Sequence, residues 1–378
     1  MKKPGYEFEV KSKRPEGSNV YSFVSADGVT PKKGFRDSEI LIADNLRLSD
    51  EDLLVVQSGY GFLGTVAAPQ TDGEVLMCDT SDRAIQLSNI NLERNNVKNA
   101  KALRTSFYSE LDGSFDKAVY APKSYEPVKL VKNRISNIVG LLRPEAELLI
   151  AGSRNSGIKR YKDYLEGLEG SVEKIGKNGG QKLYKYTEEI DERPENLEIE
   201  KGFTATVGGV ELGFKTCEGL FSSGKLDDGS RLLMENLELS GREQVLDVGC
   251  GYGALGIYAA KKFDAEVSLT DDSALAVHYA RKNLERNGVE RFHLENRDCI
   301  DGFEEEKFDA VVSNPPTHQG KSVTDEIFQE SFNRLRNGGK MILVYNKNMR
   351  FQQELEDIFK DTEVLDEKDN YRVLKALK

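Results

Sequence analysis

Two stretches in the second half of the chain carry residue types that can bind a nucleoside-like ligand and present a polar group to it. Gly251-Tyr252-Gly253-Ala254-Leu255-Gly256 satisfies the GxGxxG spacing, in which absent Cβ atoms let the backbone turn sharply and approach a ligand. Alone, that spacing points to a dinucleotide site as readily as to any other. Asn314-Pro315-Pro316-Thr317-His318 follows directly on the apolar run Phe308–Ser313. Ligands of open α/β sheets sit at the carboxyl ends of the strands, so Asn314 is expected to face the ligand. The two prolines stiffen the backbone beside it.

The elements that must position these residues occur twice. Leu54 begins LVVQSGYGFLGTVAA and Leu246 begins LDVGCGYGALGIYAA. Downstream, Asp79 falls against Asp271, and Asn91-Leu92-Glu93-Arg94-Asn95 against Asn283-Leu284-Glu285-Arg286-Asn287. Phe115-Asp116 matches Phe308-Asp309 after a one-residue shift. A match this long at a nearly constant offset marks a tandem duplication. Within the second copy, Val245–Val248, Val267–Thr270, Phe308–Ser313 and Met341–Tyr345 read as strands. Helices are expected from Ala254, from Ser273 as N-cap to Gly288, and along Ile327, Phe328, Phe332 and Leu335, ended by Gly338-Gly339. Asn96 stands where the second copy has Gly288, and both tolerate a left-handed cap. Strands alternating with helices predict an α/β fold with a doubly wound, mainly parallel sheet. Thr187–Lys201 is charged, contains Pro194 and shows no apolar face, so the join is expected there, with a hairpin at Phe203–Phe214 around Gly208-Gly209.

Composition narrows the classes. At 378 residues the chain has room for two domains, each able to bury a core without metals or disulfides. No run approaches the about 18 apolar residues of a membrane helix, and the N-terminus has no apolar signal core; a cytoplasmic protein is expected. Cys78, Cys217, Cys250 and Cys299 are scattered, and histidines number three, so no metal site is expected. A net charge of −11 argues against polyanions, yet Lys117–Lys185 holds 14 basic against 7 acidic residues. A basic region in an acidic protein is either a polyanion footprint or an ordinary solvated surface.

Asp247 precedes Gly249 by two residues, giving Asp-Val-Gly-Cys-Gly-Tyr-Gly. This resembles the first motif of the class I S-adenosylmethionine-dependent methyltransferases, and Asn-Pro-Pro at the end of the later strand resembles those acting on planar nitrogen. The resemblance implies two tandem Rossmann-like domains with S-adenosylmethionine as cofactor, contacted by Asp247, Gly249, Gly251 and Gly253. Asp271 would accept from the ribose hydroxyls and Asp298 from the adenine amino group. Asn314 and Pro315 would accept the two N–H bonds of an exocyclic amine, which is a poor nucleophile because its lone pair is delocalised. Pro316 and His318 complete the expected catalytic set.

With Gly219-Leu220-Phe221-Ser222 and Asp228-Gly229-Ser230-Arg231-Leu232-Leu233, the second half looks like the tandem ribosomal-RNA guanine-N2 methyltransferases of the small-subunit type. That likeness implies a ribosomal RNA or subunit partner, no metal and a monomer. It also implies residues 1–190 as a degenerate copy, 191–202 as linker and 203–378 as the catalytic domain. Thr317 departs from the family, which commonly has an aromatic there to stack on the base; Phe221 and Tyr252 are the alternatives. An adenine amine, a protein glutamine amide, and an assembly factor with a vestigial cofactor site remain open. In the first copy Val55 replaces Asp247, Gln57 replaces Gly249 and Ala121 replaces Asn314. That copy is expected to lack catalysis and to contribute Lys123, Lys129, Lys132, Arg134, Arg154, Lys159 and Arg160 to RNA binding.

Overall fold

The computed structural model describes residues 5–11, 20–189, 194–303, 305–317 and 319–378. The chain divides into two units, residues 1–199 and 200–378. In the first, a hairpin of β1 (Tyr6–Lys11) and β2 (Val20–Ser25) leads to α1 (Asp37–Asn45), β3 (Leu53–Val56), α2 (Phe62–Ala67), β4 (Val75–Asp79), α3 (Asp82–Arg94) and β5 (Ala100–Arg104). There follow β6 (Phe115–Tyr120), α4 (Val128–Val139), β7 (Leu142–Gly152), α5 (Ile158–Leu165), β8 (Gly170–Asn178) and β9 (Gln181–Glu188). The second unit repeats the plan. It has the hairpin β10 (Glu200–Val207) and β11 (Val210–Cys217), then α6 (Asp228–Glu235), β12 (Gln244–Val248), α7 (Ala254–Phe263), β13 (Glu266–Asp271), α8 (Ala274–Arg286) and β14 (Phe292–Asn296). It closes with β15 (Phe308–Ser313), α9 (Lys321–Arg334), β16 (Leu335–Asn346), α10 (Phe351–Glu356), β17 (Asp361–Lys368) and β18 (Tyr371–Leu377).

Each unit is built on a seven-stranded sheet, in the orders β5-β4-β3-β6-β7-β9-β8 and β14-β13-β12-β15-β16-β18-β17. The first five strands of each order pair in parallel and the last two add antiparallel. The central β3 and β12 are sealed on both faces, which is why β3 reads as an unbroken apolar run and β12, from Val245 on, as one interrupted only by Asp247. Between β12 and β15 the strand order reverses, which opens a crevice at their carboxyl ends.

The repeated Asn-Leu-Glu-Arg-Asn has a structural explanation. Asn283 accepts from the Lys215 N–H (2.7 Å) and donates to the Lys215 carbonyl (2.9 Å) and the Tyr252 carbonyl (2.9 Å). Asn287 grips Gly213 in the same two-way manner. Asn91 and Asn95 hold Val24 and Ser22 identically. Two amides one helical turn apart thus replace the ladder partner that each hairpin lacks on that side, and Asn283 also anchors the glycine loop. Asn283→Ala strands three backbone groups, two of them on the hairpin edge. At about 1–3 kcal/mol per buried unpaired group, stability of this unit should fall by about 3 kcal/mol, read as a lower urea midpoint.

Two expected boundaries move. Strand β9 runs through Thr187 and Glu188, and β10 begins at Glu200. Charged residues at these strand ends mask them in the sequence: Glu188 is buried, and Glu200 is paired with Lys215 and Lys282. Leu335 does not belong to the helical face. It pairs with Phe308 as the first residue of β16, and Gly338 (φ 78°) lies within an irregularity of that strand rather than ending a helix. No helix among the described residues is long and apolar enough to cross a membrane.

Candidate active site

At the end of β12 the backbone passes through left-handed conformations at Gly249 (φ 69°), Gly251 (φ 56°) and Gly253 (φ 90°), the last serving as N-cap of α7. The loop is tied down from the side of β13. The Thr270 carbonyl accepts the N–H groups of Gly249 (2.9 Å) and Cys250 (3.0 Å). Asp271 accepts the Gly251 N–H at 2.8 Å and the Ser273 N–H at 2.9 Å. The far side of the loop is open: a Cβ on Gly251 would meet no atom within 4 Å, and one on Gly249 would meet only Pro316 Cδ, at 4.0 Å. The Pro-Pro segment therefore comes close to the glycine loop at the carboxyl ends of β12 and β15.

Asp247 lies beneath the loop, 1% exposed. Its Oδ2 accepts the Gly256 N–H at 2.8 Å, while Oδ1 has no hydrogen-bond partner among the described residues. Burial, only partly opposed by the Gly256 bond and reinforced by the Asp271 charge, pushes its carboxyl up to about 7. Burial likewise raises Asp271, against the hydrogen bonds from Ser273 and Gly251.

Asn314 leaves the end of β15, where the Ser313 hydroxyl donates to the Val248 carbonyl at 2.8 Å and locks the two strand ends together. The Asn314 side-chain nitrogen donates to Asp227 Oδ2 and to Ser230 Oγ, both at 3.0 Å. Asp227 is also the N-cap of α6, accepting the Ser230 N–H at 2.8 Å. Neither contact is visible in the sequence, since some 87 residues separate the partners. A signal did exist: the segment Asp227-Asp228-Gly229-Ser230 of the second copy is Arg36-Asp37-Ser38-Glu39 in the first.

The remaining expected site residues are placed unevenly. Pro315 is buried and Thr317 exposed, both beside Asn314, and His318 lies outside the described residues. Asp298 is 3% exposed in the turn after β14. Tyr252 is spent on packing: it is buried edge-on against Phe203 and Phe214, and its hydroxyl donates to the Lys225 carbonyl. Phe221, in the loop between β11 and α6, is 61% exposed.

In the first unit side chains occupy the space beside the glycine-loop turn, while a cavity lined by Arg36, Pro122, Lys123 and Tyr125 stays open. Gln57 keeps the left-handed turn of Gly249 (φ 54°), an uncommon conformation for a residue with a side chain. Its N–H donates to the Tyr108 hydroxyl and its amide to Glu126 (2.6 Å). Arg134 closes on the same Glu126 oxygen at 2.6 Å and on the Tyr120 hydroxyl at 2.9 Å. Burial works against ionising Glu126, but Arg134 and Lys123 hold its carboxyl below the usual range. Arg134 is thus a buried structural cation and cannot form part of an RNA-facing surface. The Lys123 ammonium is opposed by burial and sustained chiefly by Asp79, Tyr125 and Glu126. Lys129, Arg154, Lys159 and Arg160 are exposed, and Lys132 lies 5.0 Å over the Tyr164 ring. Lys117, Arg143, Lys162 and Lys185 from the same basic stretch are ion-paired instead. Among the described residues no cluster of His, Cys, Asp or Glu side chains could hold a metal ion.

The family model of the methyltransferase small domain matches residues 20–185 and again 211–375. Ribosomal RNA small subunit methyltransferase C of Pseudoalteromonas atlantica is 33% identical over 273 residues, covering 70% of this chain and 78% of that protein. Ribosomal RNA large subunit methyltransferase G of Shewanella pealeana is 27% identical over 343 residues, covering 86% and 80%. Among solved structures, a T. thermophilus 16S rRNA N2 methyltransferase in complex with AdoMet and guanosine matches with a TM-score of 0.83 at 26% identity, over 98% of both chains. With the same sheet and hairpin clasp built in each half, this chain belongs to the methyltransferase small-domain family and carries that domain twice.

Proposed function

We propose that this chain transfers a methyl group from S-adenosylmethionine to the exocyclic N2 amine of a guanine in ribosomal RNA, and that the second unit performs the chemistry. The observation that carries this reading is Asn314, set at the end of β15 beside the glycine-loop crevice with its amide nitrogen turned inward. The crevice fits the cofactor: it has open space over Gly251 and an unpartnered buried oxygen on Asp247. Asp247, Gly249, Gly251, Gly253, Asp271 and Asp298 would hold it. Bound there, S-adenosylmethionine supplies an electrophilic methyl group on a sulfonium.

The chain's own residues handle the amine. Asn314 Oδ1 and the Pro315 carbonyl accept its two N–H bonds, drawing the nitrogen from planar toward tetrahedral and returning its lone pair to bonding use. Pro316 stiffens that segment. The nitrogen becomes acidic as its new bond forms, so its proton passes to water without a dedicated strong base. Phe221, the exposed aromatic of the second unit's β11–α6 loop, supplies the stacking surface that Thr317 does not.

In this reading the first unit is a binding copy, and the protein acts as a monomer in the cytoplasm. Lys129 and Lys132 on α4, with Arg154, Lys159 and Arg160 at α5, would neutralise RNA phosphates. Reversing Lys129, Lys132, Lys159 and Arg160 to Glu should weaken RNA binding and flatten its dependence on salt. An unchanged slope of log affinity against log salt would remove this surface from the proposal.

The reaction itself is tested with labelled S-adenosylmethionine on unmodified ribosomal RNA and on ribosomal subunits, followed by nucleoside analysis. Labelled N2-methylguanosine is the expected product. Label in adenine or in protein glutamine would keep the reaction class and discard the substrate.

A further inference from the structure

We propose that Asp227 and Ser230 are positioning residues for methyl transfer, holding the Asn314 amide so that it can only accept hydrogen bonds from the incoming amine. The inference rests on the reading that Asn314 meets that amine. The amide nitrogen carries two N–H bonds; one is directed to Asp227 Oδ2 and the other to Ser230 Oγ, each at 3.0 Å. A carboxylate offers no hydrogen, so the amide atom facing Asp227 must be the nitrogen. The orientation therefore follows from the chemistry of the neighbours rather than from assignment of the amide. With both donors committed, Oδ1 is the group left for a ligand. An amide free to turn over would present N–H bonds to the N–H bonds of the amine and repel it.

The support is itself held in place. The Ser230 N–H shares Asp227 Oδ2 with Asn314, at 2.8 Å, so two donors converge on one oxygen. Gly229 leaves space there: a Cβ would stand 2.9 Å from the Tyr371 ring and 3.1 Å from Asp227 Oδ2. One hydrogen bond behind the amide, the Asp227 charge polarises it toward oxygen. The same charge faces the positive charge that develops on the amine nitrogen.

The first copy serves as a built-in comparison. Its α1 starts from Arg36, whose side chain accepts no cap hydrogen bond, and the helix forms regardless. A carboxylate at the N-cap position itself is therefore not required at this point in the fold, where Glu39, three residues on, accepts the Arg36 N–H at 3.2 Å instead. Where the strand-end amide is gone, at Ala121, the carboxylate is gone as well, and Arg36 reaches across to donate to the Ala121 carbonyl at 2.7 Å. The two residues have changed together, as a pair that serves one task would.

The test uses the full chain. Asp227→Ser keeps a side chain able to cap α6 but too short to reach Asn314. Its kcat should fall about 100-fold, the size of effect expected from a misplaced reacting group, with KM for S-adenosylmethionine and Tm unchanged. Asp227→Asn, which retains an oxygen at that position, should recover most of the rate. Hydrogen exchange of the Asn314 side-chain amide, followed by NMR, should be slow in the unaltered protein and fast in Asp227→Ser. That readout needs no turnover, so it separates failure of this inference from failure of the assigned reaction. Wild-type kcat in Asp227→Ser, equal exchange in both proteins, or a rate loss matched by losses of Tm and cofactor affinity would overturn the proposal.

Discussion

Asn314→Ala should abolish methyl transfer while leaving S-adenosylmethionine binding intact. The side chain leaves the end of β15 against the start of α6, and the glycine loop with its Asp271 tether follows the neighbouring β12. In the proposed mechanism truncation removes the acceptor that would orient the amine, and it also leaves Asp227 and Ser230 without their shared donor. Loss of a single preorganised hydrogen-bonding group aimed at a transition state costs about 100- to 1000-fold in kcat. In that mechanism the same group would also set the line of attack, so the loss should reach at least the upper end of that range. Single-turnover transfer from labelled cofactor measures the rate, and calorimetry measures the cofactor affinity. Turnover within tenfold of the unaltered enzyme would mean that Pro315 alone holds the amine, and the mechanism above would have to be abandoned.

The second large effect concerns Asp247, and its sign is unusual for a carboxylate. Burial raises its folded pKa to about 7, whereas an unfolded aspartate ionises near ~3.9. Between those values the folded chain binds more protons than the unfolded chain, so this residue's contribution to stability is full below about pH 4 and is lost as pH rises to about 7. Above that, the cost of ionising Asp247 in the free protein is on the order of 4 kcal/mol. Asp247→Asn keeps the bond to the Gly256 N–H and removes this cost, at the expense of one buried unpaired donor worth about 2 kcal/mol. The variant should therefore be about 2 kcal/mol more stable than the unaltered protein at pH 8, with a flatter pH dependence, yet bind S-adenosylmethionine more weakly. A donor of the cofactor accepted by Oδ1 would favour the ionised form, so affinity in the unaltered protein should rise as pH passes through about 7. Thermal unfolding across pH and calorimetric titration check both halves. A variant less stable at every pH would show that Asp247 is ionised and internally satisfied in the free protein.

The first copy bears on the same point. Val55 occupies the position of Asp247 and packs in the apolar core around β3, so that unit carries no buried carboxylate there. Where no ligand is expected, the strained group is absent. Beside that glycine loop Gln57, Tyr108, Glu126 and Arg134 are joined by hydrogen bonds, with Gln57 Oε1 left without a partner among the described residues.

Much of this was written locally. The glycine spacing, the aspartates ending successive strands and Asn-Pro-Pro after an apolar run all lie within a few residues of the elements that position them. Sequence order alone therefore places them at the carboxyl ends of strands. The duplication was legible because its offset is nearly constant through the glycine loop and α3 or α8. What the sequence by itself determined was the repeated α/β plan and the pair of motifs that face one crevice.

Only the tertiary structure decided which side chains support those motifs and which merely resemble a surface. Asn314 meets Asp227 from a helix far earlier in the chain. Arg134 looked like one more cation in a basic stretch until Glu126 and Tyr120 closed around it. Tyr252 stood beside Phe221 as a candidate for stacking or for packing until Phe203 and Phe214 enclosed its ring. The physical reason is common to all three. Strand and helix periodicity fix which face a residue occupies, whereas burial, pairing and the direction of a hydrogen bond depend on which distant element packs against that face.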